Sequence, residues 1–242
     1  EWEVNRPERP ADADSIPAFI ADMAHKNPEE GNGSNNWAIA GSKTASGYPI
    51  LANDPHLNMT APSIWYQIQL QAPGVNTVGA SIPGAPTVII GYNEEIAWGE
   101  TNVDADVLDY YALEMRQPTP SVLEYKFEGE WKAAESRLET YHIRGQESIT
   151  ERIFYTVHGP VFPDKKHITD RSNAIPGVAM KWIGHKASNT FRTFYNLNRA
   201  KNYDDYVASL EDFSGPAQNF VFASNEGDIA LWVNGHYPNK WE

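Results

Sequence analysis

The run Gly33-Ser34-Asn35-Asn36-Trp37-Ala38-Ile39-Ala40-Gly41 divides the chain into two parts of different character. Upstream, residues 1–33 are rich in Pro, Asp and Glu. They contain one short amphipathic segment in which Ile16, Phe19, Ile20 and Met23 recur at helical spacing behind Asp14 or Ser15 and Pro17. That spacing, with a capping residue and a proline in the first turn, predicts a helix. Asn27-Pro28-Glu29-Glu30-Gly31-Asn32-Gly33 then reads as a loop. Downstream, segments 37–41, 50–53, 64–71, 77–81, 87–92, 96–101 and 109–114 are short, rich in β-branched and aromatic residues, and bounded by Gly, Pro or Asn. These features predict strands that pair consecutively. Ile64, Tyr66, Ile68 and Leu70 alternate with Trp65, Gln67, Gln69 and Gln71, which gives that strand one apolar, inward side. Further strands are expected at 124–128, 138–144, 152–157 and 178–183. The period then changes: Phe191, Phe194, Tyr195 and Asn198, followed by Tyr203, Tyr206, Val207, Leu210 and Phe213, fit two helices. A hairpin of 219–224 and 229–234 closes around Asn225-Glu226-Gly227-Asp228, with Gly227 available for positive φ. The class is α+β, dominated by antiparallel sheet.

Composition narrows the function. The 242 residues carry 19 Lys and Arg against 32 Asp and Glu, a formal charge of −13, so the long-range field repels nucleic acid and anionic membrane surfaces. Apolar runs such as Val88-Ile89-Ile90 and Phe220-Val221-Phe222-Ala223 fall far short of the roughly 20 residues of a membrane-spanning helix. Cysteine is absent, which removes disulfide scaffolds, thiol catalysis and cysteine-containing zinc sites together. The chain opens Glu1-Trp2-Glu3-Val4 with neither Met nor the basic-then-apolar pattern of a signal peptide, as expected of a processed or excised piece.

No Gly-x-Ser-x-Gly elbow and no His-Glu-x-x-His signature is present, and the histidines show no metal-ligand spacing. What stands out is the order of blocks: Gly33 to Gly41 as quoted, then Asn53-Asp54-Pro55-His56-Leu57, then Trp98-Gly99-Glu100-Thr101-Asn102-Val103-Asp104-Ala105-Asp106-Val107-Leu108-Asp109. Gly79-Ala80-Ser81-Ile82-Pro83-Gly84, Gly91-Tyr92-Asn93 and Thr156-Val157-His158-Gly159-Pro160 fall between and after them. In this order they resemble the penicillin acylase family of N-terminal-nucleophile hydrolases over nearly all of residues 34–242. The resemblance implies that 1–33 is the end of the α-chain side with the connecting peptide. Residues 34–242 would be the N-terminal, incomplete part of the β-chain, contributing to a four-layer αββα sandwich. It further implies self-cleavage between Gly33 and Ser34, after which Ser34 is the nucleophile. The chemistry suits the residues, because a hydroxyl is a weak nucleophile until a base takes its proton, and a freed α-amine with pKa near ~7.7 to 8 can do so. Gly33 is expected to relieve crowding at the attacked carbonyl and to permit unusual φ.

Carried over residue by residue, the resemblance implies a histidine near the nucleophile at His56, as in cephalosporin and acyl-homoserine-lactone acylases. It places an oxyanion-hole backbone N–H at Asn102, with the second donor lying beyond residue 242. Asp106, the Leu108 carbonyl and Asp109 match the calcium ligands of penicillin G acylases, hard oxygen donors of the kind Ca²⁺ takes. Leu57, Ile90 and Phe194 match acyl-pocket positions. Glu100 departs from the pattern, standing where penicillin G acylases carry a small polar residue. Calcium is the only cofactor implied, and no organic cofactor is. The partners implied are the rest of the precursor and a small N-acyl amide, in a periplasmic or secreted setting, and this chain alone would be inactive. Which acyl group or amine is cleaved stays open. Without the resemblance, Ser34 reads as a turn residue, His56 as a strand-edge histidine, His158 as structural, and the acids around Asp106 as solvated turn carboxylates. The whole then reads as a non-enzymatic β-rich binding module, for glycans or as a calcium-stabilised surface domain.

Overall fold

A computed structural model describes residues 33–57, 59–163 and 175–239, so the helix expected over 16–23 lies outside the described residues. The chain forms two units, one from residues 27–106 with 186–238, the other built chiefly from 107–185. The first unit opens with β1 (Gly33–Ile39), β2 (Ile50–His56), β3 (Tyr66–Ala72), β4 (Val75–Ser81), β5 (Ile90–Tyr92) and β6 (Ile96–Asn102). The second unit follows with β7 (Leu108–Thr119), β8 (Val122–Phe127), β9 (Glu130–Ala133), β10 (Glu135–Tyr141), β11 (Ile149–Thr156), β12 (Gly159–Pro163) and β13 (Ile175–Trp182). The chain then returns to the first unit as α1 (Thr190–Leu197), α2 (Tyr203–Leu210), β14 (Gln218–Ser224) and β15 (Ile229–Asn234).

In the first unit the strands run antiparallel in the order β15-β14-β6-β5-β4-β3, while β1 and β2 pair as a separate two-stranded sheet. Alternation along β6 and β14 sends Ile96, Trp98, Phe220 and Phe222 to one face, where they close with Phe194 and Leu197 of α1 and Tyr206 and Leu210 of α2 into a core. Its rings meet edge to face, Phe213 and Phe220 at 4.9 Å between centroids. The opposite face of β6 and β14 receives β1 and β2. A helical layer, a six-stranded sheet and a two-stranded sheet therefore stack in this unit, a sheet-rich α+β arrangement as expected. The helix α2 starts where Asn202 caps it, its side-chain oxygen accepting from the Asp205 N–H at 2.9 Å, with Asp204 and Asp205 in the positive first turn.

The second unit is one antiparallel sheet in the order β10-β11-β12-β13-β7-β8-β9, packed around Leu113, Met115, Leu123, Tyr125 and Phe154. Two of its strands, β9 and β12, were not expected from the sequence. The segment 124–128 instead ends at Phe127, and Glu128 and Gly129 take φ of 53° and 85° as a two-residue turn with Phe127 opposite Glu130. That is the mirror-image turn favoured in hairpins, but glutamate is an unusual occupant of its first position. The alternation expected from Ile64 also begins later: Ile68 and Leu70 pack on the core, yet Ile64 is exposed and Trp65 turns inward. The strand starts only at Tyr66, so period two does not extend to its lead-in.

Candidate active site on the first strand

Ser34 is the second residue of β1 and stands opposite Pro55 of β2, with Gly33 opposite His56, Asn35 opposite Asp54 and Asn36 opposite Asn53. Successive side chains on a strand alternate between faces, and here Ser34, Asn36 and Ala38 are partly covered while Gly33, Asn35 and Trp37 are exposed. The covered face is the one turned to β6 and β14, because Asn36 Nδ2 donates to the Asn219 carbonyl at 2.7 Å. Ser34 thus shares its face with Asn36. Its Oγ–H donates to the Gly33 carbonyl oxygen at 2.6 Å, within the peptide that links the two residues. Beyond its chain neighbours, a Cβ built on Gly33 meets no atom of the described residues within 4 Å.

His56 falls on the other face of β2 from the side chain opposite Ser34. Its Nε2 lies 2.9 Å from Asp54 Oδ2, both groups largely solvated, so the structure pairs it with Asp54 and does not bring it to Ser34 Oγ. Asn102 ends β6 opposite Gln218. The Val103 N–H donates to the Ala217 carbonyl at 3.2 Å on the β14 side, and the Asn93 N–H donates to the Ile96 carbonyl at 2.9 Å on the β5 side. Because ladder bonds to one neighbour alternate along a strand, the Asn102 N–H points to the β5 side, past the end of β5. Its side chain is held by Asp104: Nδ2 donates to Oδ1 at 2.7 Å, and Oδ1 accepts from the Asp104 N–H at 3.3 Å.

The expected acyl-pocket residues lie elsewhere. Phe194 is in the core beneath α1, Ile90 packs against that core, and Glu100, opposite Phe220, faces the same side. Ser34 faces the other side of this sheet, and Leu57 is exposed after β2. Among the described residues Glu100 Oε2 has no solvent access and no hydrogen-bond partner, and this burial pushes the carboxyl up to about 8, so it holds its proton at neutral pH. In the second unit His158 stacks on Tyr111 at 4.1 Å between centroids; burial, with the charge of Lys181 adding to it, holds its pKa below the usual histidine value.

Asp106 belongs to the loop after β6, whereas Leu108 and Asp109 open β7, Asp109 in register with Lys181. Among the described residues no three His, Asp or Glu gather as a metal cluster. Asp106, the Leu108 carbonyl and Asp109 are oxygen donors of the kind Ca²⁺ takes, together part of its six to eight ligands.

Three asparagines without roles in the sequence are central here: Asn36, whose amide donates to the Asn219 carbonyl, Asn219 itself, and Asn53, whose amide is buried over Gly99 with neither polar atom paired among the described residues. Asn36 and Asn53 stand within the quoted blocks and Asn219 opens the 219–224 strand, but a contact across 183 positions has no local signature.

The description "Penicillin amidase" names the family model that matches residues 3–242. The chain belongs to this penicillin amidase family. It is 36% identical over 217 residues to the acyl-homoserine lactone acylase QuiP of Pseudomonas aeruginosa, covering 86% of this chain and 25% of that protein. It is 26% identical over 208 residues to the penicillin G acylase of Escherichia coli, covering 86% and 24%. Its fold matches the thermostable penicillin G acylase from Alcaligenes faecalis with a TM-score of 0.68 and 26% identity, over 83% of this chain and 35% of that one. The chain thus spans about a quarter of the length of the curated relatives it matches. No helix among the described residues is long and apolar enough to cross a membrane.

Proposed function

We propose that the natural polypeptide carrying this chain is an N-acyl amide hydrolase that cleaves itself between Gly33 and Ser34 and then uses Ser34 as its nucleophile. The observation that carries this reading is the place of Ser34: on the covered face of β1, with Oγ 2.6 Å from the carbonyl oxygen of the bond to be cut. In the precursor, Oγ attacks the Gly33 carbonyl carbon, the C–N bond to Ser34 breaks, and water hydrolyses the resulting ester, leaving Ser34 with a free α-amine. In turnover that amine takes the Oγ proton as Oγ attacks the substrate's acyl carbonyl. The Asn102 N–H, aimed off the edge of β6, stabilises the tetrahedral oxyanion, and the leaving amine departs with the proton. Water then hydrolyses the acyl-serine by the same route. The second oxyanion donor, the acyl pocket and the remaining partners come from other parts of the polypeptide, and the chain alone is inactive. A periplasmic or secreted setting, and an acyl-homoserine lactone or a penicillin-type amide as substrate, follow from the relatives' names as proposals.

The test is the intact denatured mass of the natural polypeptide beside its Ser34→Ala variant. Splitting between Gly33 and Ser34 in the parent and not in the variant supports the reading. If both stay whole after folding, self-processing is wrong and the binding-module alternative takes its place.

A further inference from the structure

The two groups this reading sets to work stand in different sheets. Ser34 is on β1, paired only with β2, while Asn102 ends β6 in the six-stranded sheet. Among the described residues no backbone ladder joins these sheets, so packing and side-chain bonds must set the distance between nucleophile and oxyanion donor. We propose that Asn36 and Asn219 are positioning residues that hold Ser34 in register with Asn102; this rests on Ser34 and Asn102 having the roles given above.

Each link of this relay is a hydrogen bond. Asn36 lies two residues beyond Ser34 on the same face, and its Nδ2 donates to the Asn219 carbonyl at 2.7 Å. Asn219 Nδ2 in turn donates to the Asn102 carbonyl and to Thr101 Oγ1, each at 3.3 Å. The Asn102 carbonyl lies anti to the Val103 N–H across their trans peptide, so it is held on the β5 side while the Val103 N–H is bonded to Ala217 on the β14 side. The Asn102 side chain is bonded to Asp104. With its carbonyl, its side chain and the following peptide N–H all bonded, the Asn102 N–H has a fixed direction on the same side of β6 as its carbonyl. Asparagine serves at both links because its amide supplies a donor without charge; a carboxylate in its place can only accept, and would face a carbonyl oxygen. Displacing one reacting group by about 1 Å costs on the order of 10²-fold in rate, so a relay of this kind acts on turnover more than on binding.

The experiment uses the full natural polypeptide and a chromogenic N-acyl anilide, with rates expressed per free Ser34 N-terminus counted by mass. Asn36→Ala and Asn219→Ala are expected to lower kcat about 10- to 100-fold with KM within about twofold. Asn36→Asp, which keeps the shape and removes the donor, is expected to lose as much as Asn36→Ala. The double variant is expected to lose no more than the worse single, because both cut one relay. Should Asn36→Ala fail to fold, the isosteric Asn36→Asp, checked by its thermal midpoint, carries the test. Unchanged kcat, a loss confined to KM, full activity in Asn36→Asp, or additive losses would each overturn the relay. Ser34→Ala is run alongside: if it keeps full activity the underlying reading has failed, whereas an inactive Ser34→Ala beside fully active asparagine variants rejects only this inference.

Discussion

Asn53 fills the space that a side chain at Gly99 would need: a Cβ built on Gly99 would lie 2.5 Å from Asn53 Cβ and Cγ and 2.6 Å from its Oδ1. The two-stranded sheet can approach β6 this closely only because residue 99 is glycine. Gly99→Ala should therefore push β2 away from β6 and cost about 1–3 kcal/mol, as overpacking does. Gly33→Ala, with nothing within 4 Å of its Cβ, should leave stability within about 0.5 kcal/mol of the parent. Urea midpoints for the two variants separate these cases, and equal midpoints would mean that β2 yields freely.

Asn198, at the end of α1, is bonded on both sides of its amide to one buried residue. Its Oδ1 accepts from the Val88 N–H at 2.9 Å and its Nδ2 donates to the Val88 carbonyl at 2.8 Å. Its own carbonyl accepts from Thr77 Oγ1 at 3.0 Å. Asn198→Ala would strand two backbone groups away from water. The expected loss is about 2–4 kcal/mol, read from denaturant unfolding, with Val88 amide exchange accelerated in step.

Glu100 sets a pH dependence whose sign follows from burial. Its carboxyl is raised from 4.5 to about 8 in the folded chain, so the unfolded chain gives up that proton first. The stabilising effect of the neutral form is complete below about pH 4.5 and is lost as pH rises through about 8. Glu100→Gln should flatten this decline and be more stable than the parent at pH 8 to 9, by thermal unfolding across pH. A parent whose midpoint does not fall over this interval would show that the carboxyl finds a partner when ionised.

Much of the sheet structure was legible because strands advertise themselves locally. The hairpin of 219–224 and 229–234 appears as β14, one residue longer, and β15 with the same bounds, and β6, β7 and β11 begin within a few residues of the segments read for them. The errors have local causes. β7 runs on past its apolar pattern through a register shift between Arg116 and Thr119, and Glu128 in the first position of its turn gave no signal where Asn would have. For the site, the block order pointed to Ser34 and Asn102, but the His56 pairing with Asp54 and the inward turn of Glu100 required coordinates.

The sequence by itself determined the antiparallel class, the two late helices and the ordered blocks of this family, since periodicity, turn residues and motif spacing are properties of neighbours along the chain. Only the tertiary structure decided which face Ser34 occupies, that Asn53 rests on Gly99, and that Asn36 reaches Asn219. Those relationships join residues 46 to 183 positions apart across different sheets, where close packing and pairing of buried polar groups, rather than local preference, fix which atoms meet.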